Sequence, residues 1–343
     1  MSVLPAIWSV LSLASGRVDP WPILDAVGGA EALSRAGRAE LLRAGVPLDL
    51  VARAQTQPQL DSPMPFLLAG GRGYPAALTQ LPFAPPVLFF DGTLDALELP
   101  GVAIVGSRRC TASGRRTAAS LARAVTLAGG AVISGMAIGI DTAAHREAMH
   151  HGLTVAVLGQ GLAAPMAHGA RRLREELIAS GGVVLSELLP ALPAQAFTFL
   201  HRNRIIAGLA RATVVVEAGV RSGALSTARH ALEAGREVMA VPGHYREETS
   251  AGCLAIIEQG VGIVRSPASV LEAAGLNVPS QGARRGALPP HTRLLEDALQ
   301  RGGTLDQLAV RAGISVVQAC SLLAELELAG LVRRLPGQRY ERT

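Results

Sequence analysis

Buried-strand and helix patterns alternate across residues 62–275, and this alternation constrains the fold more than any other feature. Short runs rich in Val, Ile and Ala each precede an amphipathic stretch. Near-continuous apolar runs are typical of strands buried on both faces, as in parallel sheets covered by helices. The predicted strand segments are VAIVG (102–106), AVISG (131–135), TVAVLG (154–159), GVVLSE (182–187), ATVVVEA (212–218), EVMAVPG (237–243) and VGIV (261–264).

This order of strands and helices predicts an α/β fold, a Rossmann-like doubly wound parallel sheet. Residues 1–60 differ, because they contain short helical patterns broken by glycine. They predict a small helical domain of the sterile-alpha-motif or helix-hairpin-helix type, which either serves as a structural bundle or contacts a DNA backbone. A Pro-rich linker, QPQLDSPMP, is expected to follow it. The predicted helices are Pro22–Val27, Ala30–Ala36, Ala39–Arg43 and Leu48–Ala54.

A third domain is predicted at residues 286–343, after the linker stretch QGARRGALPP. Thr304 is placed to cap one helix and Gly313 to end it, and Ser315 is placed to cap the next. This is helix-turn-helix spacing. Two short strands are expected around Pro336-Gly337. Together these elements predict a winged-helix domain.

The chain contains no lysine, so all 32 basic residues are arginine. This excludes a Schiff-base lysine, a lysine general base and the Walker lysine, and hence P-loop ATPase chemistry. The formal net charge of +5 favours an anionic partner. The planar guanidinium of arginine is well suited to phosphate oxygens.

The cysteines and histidines give no indication of a metal site or a cofactor. Cys110, Cys253 and Cys320 lie far apart, and the eight histidines form no ligand-like cluster. Such cysteines fit a reducing compartment. No apolar run is long enough to span a membrane, and the apolar N-terminus lacks the preceding positive charge of a signal peptide. We therefore expect a cytoplasmic protein.

Polar and glycine residues recur where the predicted strands end. In an open α/β sheet, ligands bind beyond the carboxyl ends of the strands. Glycine there lets a backbone approach an anion, and helix N-termini direct amides towards it. Glycines that merely permit tight turns are the alternative for any one loop, but together these loops predict an extended anion groove. The candidate residues are Gly106, Ser107 and Arg108, then Ser134 and Gly135, and finally Ser222 and Gly223.

The segment FTFLHRNRIIAGLA (197–210) combines aromatic and basic residues. Phe199 precedes Arg202, Asn203 and Arg204, which stand before an apolar helix face. Single-stranded nucleic acid requires charge for its backbone and an aromatic face for a base. The alternative is a core phenylalanine beside a solvated helix start.

Several long motifs together resemble the DNA-processing protein A family (DprA, also called Smf). They include VAIVGSRRCTASG, ISGMAIGIDTAAH, FLHRNRIIAGLA and VVVEAGVRSGALSTARHALEAGREVMAVPG, and they cover most of residues 66–265. The resemblance implies a homodimer that binds and protects incoming single-stranded DNA and loads the RecA recombinase during natural transformation. Gln160 and the loop up to His168 depart from the family pattern. The implied DNA pocket consists of Gly106, Ser107, Arg108, Ser134, Gly135, Phe199, Arg202, Asn203 and Arg204.

Two other functions are weighed. One is a nucleotide-binding protein or LOG-type phosphoribohydrolase of the same fold, which is marked by the motif PGGxGTxxE. This chain has RSGALSTARHALE instead, and Glu233 lies a helical turn or more beyond the position of the motif's glutamate. Asp141, Glu187 and Glu217 stand at strand ends without a histidine or nucleophile partner in the sequence. We therefore expect structural roles for them and no catalysis.

The second of these functions is that of a regulator that binds duplex DNA through the winged helix. A recognition helix needs Arg, Asn or Gln side chains that reach base edges. The helix predicted at residues 316–328 offers Gln318 alongside Glu325 and Glu327, with no basic residue. This composition favours packing or protein contact over duplex recognition.

Overall fold

The computed structural model describes residues 2–13, 17–56, 60–277, 303–328, 332–335 and 339–342. Contacts divide the chain into two compact units, Met1–Val278 and Pro279–Thr343. The boundary predicted near residue 60 falls inside the first unit. The predicted linker at residues 281–290 lies outside the described residues.

The N-terminal part of the first unit is helical, and its apolar side chains join the same hydrophobic cluster as the sheet. Four of its helices match the predicted ones to within a few residues, and an additional helix precedes them. Its elements are β1 (Ser2–Leu4), α1 (Ala6–Leu13), α2 (Pro20–Val27), α3 (Ala30–Arg35), α4 (Arg38–Arg43), α5 (Leu48–Thr56) and β2 (Leu60–Ser62).

Helix α1 anchors the N-terminal part to the rest of the unit. Trp8 is fully buried and donates from Nε1 to Ser34 Oγ at 2.8 Å. The Ser12 hydroxyl donates to the carbonyl oxygen of Glu187 at 2.7 Å. Strand β2 pairs antiparallel with β1, so part of the predicted linker is an ordered strand. Its pairing partner lies more than fifty residues earlier, which a local pattern does not reveal.

A nine-stranded sheet forms the centre of the first unit. Its strands are β3 (Phe66–Leu68), β4 (Val87–Gly92), β5 (Gly101–Val105), β6 (Ala131–Ser134), β7 (Thr154–Val157), β8 (Val183–Ser186), β9 (Ala212–Val215), β10 (Glu237–Ala240) and β11 (Gly262–Ile263). The spatial order is β11-β10-β9-β5-β6-β7-β8-β4-β3. Strands β5 to β11 pair in parallel, which confirms the predicted α/β fold.

Helices cover both faces of this sheet. Apolar side chains of α6, α7 and α12 pack on one face, and those of α9, α10 and the N-terminal helices pack on the other. Every residue of β5, β6, β7, β8 and β9 is buried, as two covered faces require. The helices are α6 (Ala112–Leu127), α7 (Ile140–His151), α8 (His168–Ala179), α9 (Ala196–Leu209), α10 (Ala224–Glu233), α11 (Ala251–Glu258) and α12 (Pro267–Ala273).

Strands β3 and β4 were not predicted. They extend the sheet beyond β8 as antiparallel strands, with Phe89 opposite Ser186. Asp91 in β4 forms an ion pair with Arg174 of α8 at 2.5 Å. Each strand is followed only by a short 3-10 helix, Ala76–Leu78 or Leu94–Leu97, so the alternation with amphipathic α-helices that revealed the other strands is missing here.

The second unit has the predicted winged-helix elements. The Thr304 hydroxyl accepts from Gln307 N, and Gly313 ends the first helix in a left-handed conformation with φ of 67°. The turn predicted at Pro336-Gly337 lies outside the described residues. The elements are β12 (Gly303–Thr304), α13 (Leu305–Ala312), α14 (Val316–Leu328), β13 (Val332–Leu335) and β14 (Arg339–Arg342), with sheet order β12-β14-β13.

Within the described ranges, no helix has the length and apolarity needed to cross a membrane.

Candidate nucleic-acid interface

A cleft of about 700 Å³ opens at the carboxyl end of the central sheet. Strand β5 lies between β6 and β9, so the chain winds outwards from β5 in both directions. The loops after β5 and β9 therefore diverge and leave a crevice at this switch point, where open α/β sheets bind ligands. Residues of α9 and the first turns of α7 and α10 complete the walls.

The loop after β5 forms one wall of the cleft. Ser107 N donates to the carbonyl oxygen of Glu217 at 2.7 Å, which joins this loop to the one after β9. A Cβ on Gly106 would lie 2.6 Å from Ile140 Cγ1, so the close approach requires glycine. Arg108 follows directly and is exposed.

Glu217 has a structural partner on this loop. Its carboxylate accepts from Thr111 N at 2.8 Å and from the Thr111 hydroxyl at 2.6 Å. That hydroxyl in turn accepts from Gly114 N at 2.9 Å and so caps α6. The acid is therefore committed to holding the start of α6, as the sequence analysis expected.

Helix α9 begins earlier than predicted. A capping box between Gln195 and Thr198 starts the helix at Ala196. The sequence analysis placed Arg202, Asn203 and Arg204 before an apolar helix face, and the structure puts all three in the middle of the helix. These side chains lie inside it and are only 5%, 7% and 8% exposed, respectively.

Arg202 forms the floor of the cleft. Its Nη1 donates to the carbonyl oxygens of Gly135, at 2.9 Å, and of Val157. Asp141 lies on the same floor and accepts from Gly135 N at 3.1 Å and Ala137 N at 3.3 Å. Burial raises the pKa of the Asp141 carboxyl, and the charge of Arg202 opposes that rise.

Burial also lowers the pKa of Arg202 to about 10, with the charge of Asp141 acting in the opposite direction. The guanidinium therefore remains charged at neutral pH. A fixed cation at the floor favours anions in the cleft above it.

Ser134 and Gly135 support this floor and do not line the cleft. The Ser134 hydroxyl is fully buried and donates to the carbonyl oxygen of Ile104 at 2.7 Å. A Cβ on Gly135 would lie 2.5 Å from Arg202 Nη2. A side chain at position 135 would therefore force the guanidinium to shift.

Arg204 lies outside the cleft lining as well. It forms a buried ion pair with Glu187, whose side chain is 2% exposed. His201 Nε2 lies 3.6 Å from the other carboxylate oxygen of Glu187. This arginine has a structural partner where the sequence analysis expected a DNA contact.

The other predicted residues meet in the cleft. The Arg108 guanidinium lies 5.4 Å from the centroid of the half-buried Phe199 ring, within cation–π range. Asn203 Nδ2 donates to the carbonyl oxygen of Gly223 at 3.1 Å and ties α9 to the loop after β9. The predicted residues that line the cleft are Gly106, Ser107, Arg108, Phe199, Arg202, Asn203, Ser222 and Gly223.

Several lining residues were missed by the sequence analysis. Arg109 and Arg221 are exposed at the cleft and directly adjoin the predicted residues Arg108 and Ser222. Among the described residues, none of these three arginines forms an ion pair. Glu248 also lines the cleft, yet the positive charges outnumber the negative ones. In the described part of the chain, no three His, Cys, Asp or Glu side chains cluster as a metal site would need.

Comparison with known families decides the relationship. The profile of the DNA recombination-mediator protein A family matches residues 66–275, and that of the DprA winged helix domain matches residues 280–338. The chain belongs to the DNA recombination-mediator protein A family. This confirms the resemblance found in the sequence and the winged-helix prediction.

Relatives of the DNA recombination-mediator protein A family match over most of the chain. Protein Smf of Escherichia coli is 37% identical over 290 residues, which cover 81% of this chain and 78% of that protein. DNA processing protein A of Streptococcus pneumoniae has a structure that matches with a TM-score of 0.59 and 34% identity, over 78% of this chain and 92% of that chain.

A second solved structure is DNA processing protein A of Helicobacter pylori, a protein with a described single-stranded DNA binding mode. It matches with a TM-score of 0.56 and 25% identity, over 62% of this chain and 95% of that chain.

Proposed function

We propose that this chain binds single-stranded DNA in the cleft and catalyses no reaction there. The observation that carries the proposal is that three exposed arginines, Arg108, Arg109 and Arg221, line the same cleft as the half-buried Phe199 ring, with Arg108 over that ring. Guanidinium groups suit the phosphate backbone, and an aromatic face suits an unstacked base. The single-stranded DNA binding of the Helicobacter pylori relative supports the same function.

A single strand suits these features better than a duplex. Stacking on an aromatic side chain requires a base that is free of its own neighbours, as single strands provide. The second unit also offers little for duplex recognition. Helix α14 begins with exposed Val316 and Val317, the latter 77% exposed, where base-reading side chains would be needed.

The acids that the sequence analysis weighed for catalysis are already engaged. Asp141 accepts two backbone amides, and Glu217 holds Thr111. Glu233, the acid weighed for phosphoribohydrolase chemistry, ends α10, pairs with His230 at 3.1 Å and does not line the cleft. A nucleotide hydrolase would need a free base or nucleophile at this site. Reproducible hydrolysis of nucleoside monophosphates that is abolished by Glu217→Gln would overturn the non-catalytic proposal.

The direct test is titration of labelled oligo(dT) and of the matching duplex at two salt concentrations. We expect tighter binding to the single strand, with little dependence on sequence. The logarithm of the affinity should fall with the logarithm of salt by about 0.7 per phosphate neutralised. Equal affinity for the duplex, or binding that ignores salt, would contradict the proposal.

We further propose that the protein acts as a homodimer that presents the strand to the RecA recombinase during transformation. The recombinase part rests on family membership alone. The dimer part is supported by β11, a sheet edge whose Gly262 and Ile263 are exposed, with Ile263 44% exposed. Light scattering should give a dimer, and strand exchange on DNA coated with single-strand-binding protein should accelerate. A strict monomer that gives RecA no help would refute this part and leave DNA binding intact.

A further inference from the structure

A second cavity, of about 360 Å³, lies between α6 and the residues that follow β10 and β11. We call it the α6 groove. The α6 side contributes Ser113, Arg116, Thr117 and Ser120, and the side after β11 contributes Arg265 and Ser266. The α6 groove shares no lining residue with the cleft.

The donors in the α6 groove match the chemistry of a phosphate. Arg116 and Arg265 are exposed, and neither guanidinium has an ion-pair or hydrogen-bond partner within the described residues. Ser113, Thr117 and Ser120 follow each other at helical spacing and place their hydroxyls on one face of α6. No carboxylate is among the described side chains that line the groove. Guanidinium and hydroxyl donors without a competing acid favour an anion.

The α6 groove and the cleft adjoin along one edge of the sheet. Arg109 lines the cleft and Ser113 lines the groove. A backbone of four residues spans at most about 14 Å even when fully extended. The loop after β10 makes the same connection, because Val241 lines the groove and Glu248 lines the cleft.

A strand held in the cleft has to continue beyond it. The cleft volume of about 700 Å³ is that of a site for a small ligand, whereas single-strand-binding domains engage about 4–16 nucleotides. The α6 groove supplies positive charge within reach of the exit. We propose that the α6 groove binds a backbone phosphate of the same DNA strand that occupies the cleft. This inference rests on the proposed function.

The test uses the single variants Arg116→Gln and Arg265→Gln and the double variant that carries both. Each is compared with Arg123→Gln. Arg123 is a matched control, since it is an exposed arginine on α6 outside the groove. Each variant is titrated with oligo(dT) of about two nucleotides, the length that a cleft of small-ligand size can hold, and of about twenty nucleotides, which reaches past it. Thermal unfolding of each variant checks the fold, which exposed substitutions should leave unchanged.

We expect the groove variants to bind the short oligonucleotide as the wild type does. Each should bind the long one about threefold to fivefold more weakly, as the removal of an exposed ion pair predicts. The salt slope for the long oligonucleotide should become shallower by about 0.7 for each phosphate that the variant no longer neutralises. The control variant should bind both lengths normally.

Three outcomes would overturn the proposal. The double variant could bind the long oligonucleotide as tightly as the control does, or lose affinity equally for both lengths. Titration with inorganic phosphate could show weaker phosphate binding in the double variant with unchanged affinity for the long strand, which would make the groove a site for a small anion. Wild-type protein that binds neither oligonucleotide would instead refute the proposed function itself, and the groove proposal with it.

Discussion

Replacement of Arg108 by alanine should weaken single-strand binding strongly and leave the fold intact. The side chain is exposed at the cleft, and its guanidinium lies 5.4 Å from the Phe199 ring centroid. A hydrogen bond to a charged group contributes about 1.5–3 kcal/mol. Since about 1.4 kcal/mol corresponds to a factor of ten, the variant should bind roughly ten to more than a hundred times more weakly.

Fluorescence anisotropy of labelled oligo(dT) at two salt concentrations measures this reduction in affinity. Arg108→Lys separates charge from shape, because lysine keeps the charge but lacks the planar guanidinium, and it should bind with intermediate affinity. Arg146→Ala serves as the control, since Arg146 is exposed on α7 and does not line the cleft. All three variants should unfold within about 0.5 kcal/mol of the wild type.

Two results would refute the reasoning about Arg108. One is wild-type affinity in Arg108→Ala, which would mean that the cleft does not contact the strand through this arginine. The other is an equal reduction in Arg146→Ala, which would mean that binding depends on total charge and not on the cleft.

Three further predictions concern the cleft and its support. Phe199→Ala should cost about 1–3 kcal/mol of binding if the ring stacks a base, whereas Phe199→Tyr should bind normally; equally weak binding by both variants would argue against stacking. Gly135→Ala should lower the free energy of unfolding by about 1–3 kcal/mol in urea titrations, because its Cβ would meet the Arg202 guanidinium at 2.5 Å. Gly169→Ala, where a Cβ meets nothing within 4 Å, should be nearly neutral. Burial lowers the pKa of His145 from 6.5 to about 3. Between these two values the imidazole is protonated in the unfolded chain and neutral in the folded protein. The protein should therefore lose roughly 2 kcal/mol of stability between pH 7 and pH 5 through this group, and His145→Asn should lack that part of the pH dependence; identical pH profiles would contradict it.

The sequence was sufficient wherever a feature is repeated or local. The apolar runs identified the parallel strands because both faces of such strands are buried. Glycine and polar residues at the strand ends identified Gly106 to Arg108, because parallel strands bring their carboxyl ends to one edge. Thr304 and Gly313 fixed the ends of a helix in the second unit, because capping is an interaction between near neighbours.

Other elements depended on partners far away in the chain. Strands β3 and β4 do not alternate with α-helices. Strand β4 reaches the sheet by pairing with β8, almost a hundred residues later, and β3 then pairs with β4. The hydrogen bond from Thr111 N to the Glu217 carboxylate joins residues that are 106 positions apart in the sequence. Neither pairing leaves a periodic trace in the sequence.

The arginines of α9 show most clearly what the tertiary structure decided. In the sequence, Arg202 and Arg204 are equivalent, since both flank Asn203 ahead of an apolar run. A helix turns by about 100° per residue, so positions two apart point in very different directions. Arg202 therefore reaches the cleft floor beside Asp141, while Arg204 meets Glu187 in the interior. The sequence shows two arginines two positions apart, but which of the two charges lines the cleft depends on where the carboxylates lie once the sheet has formed.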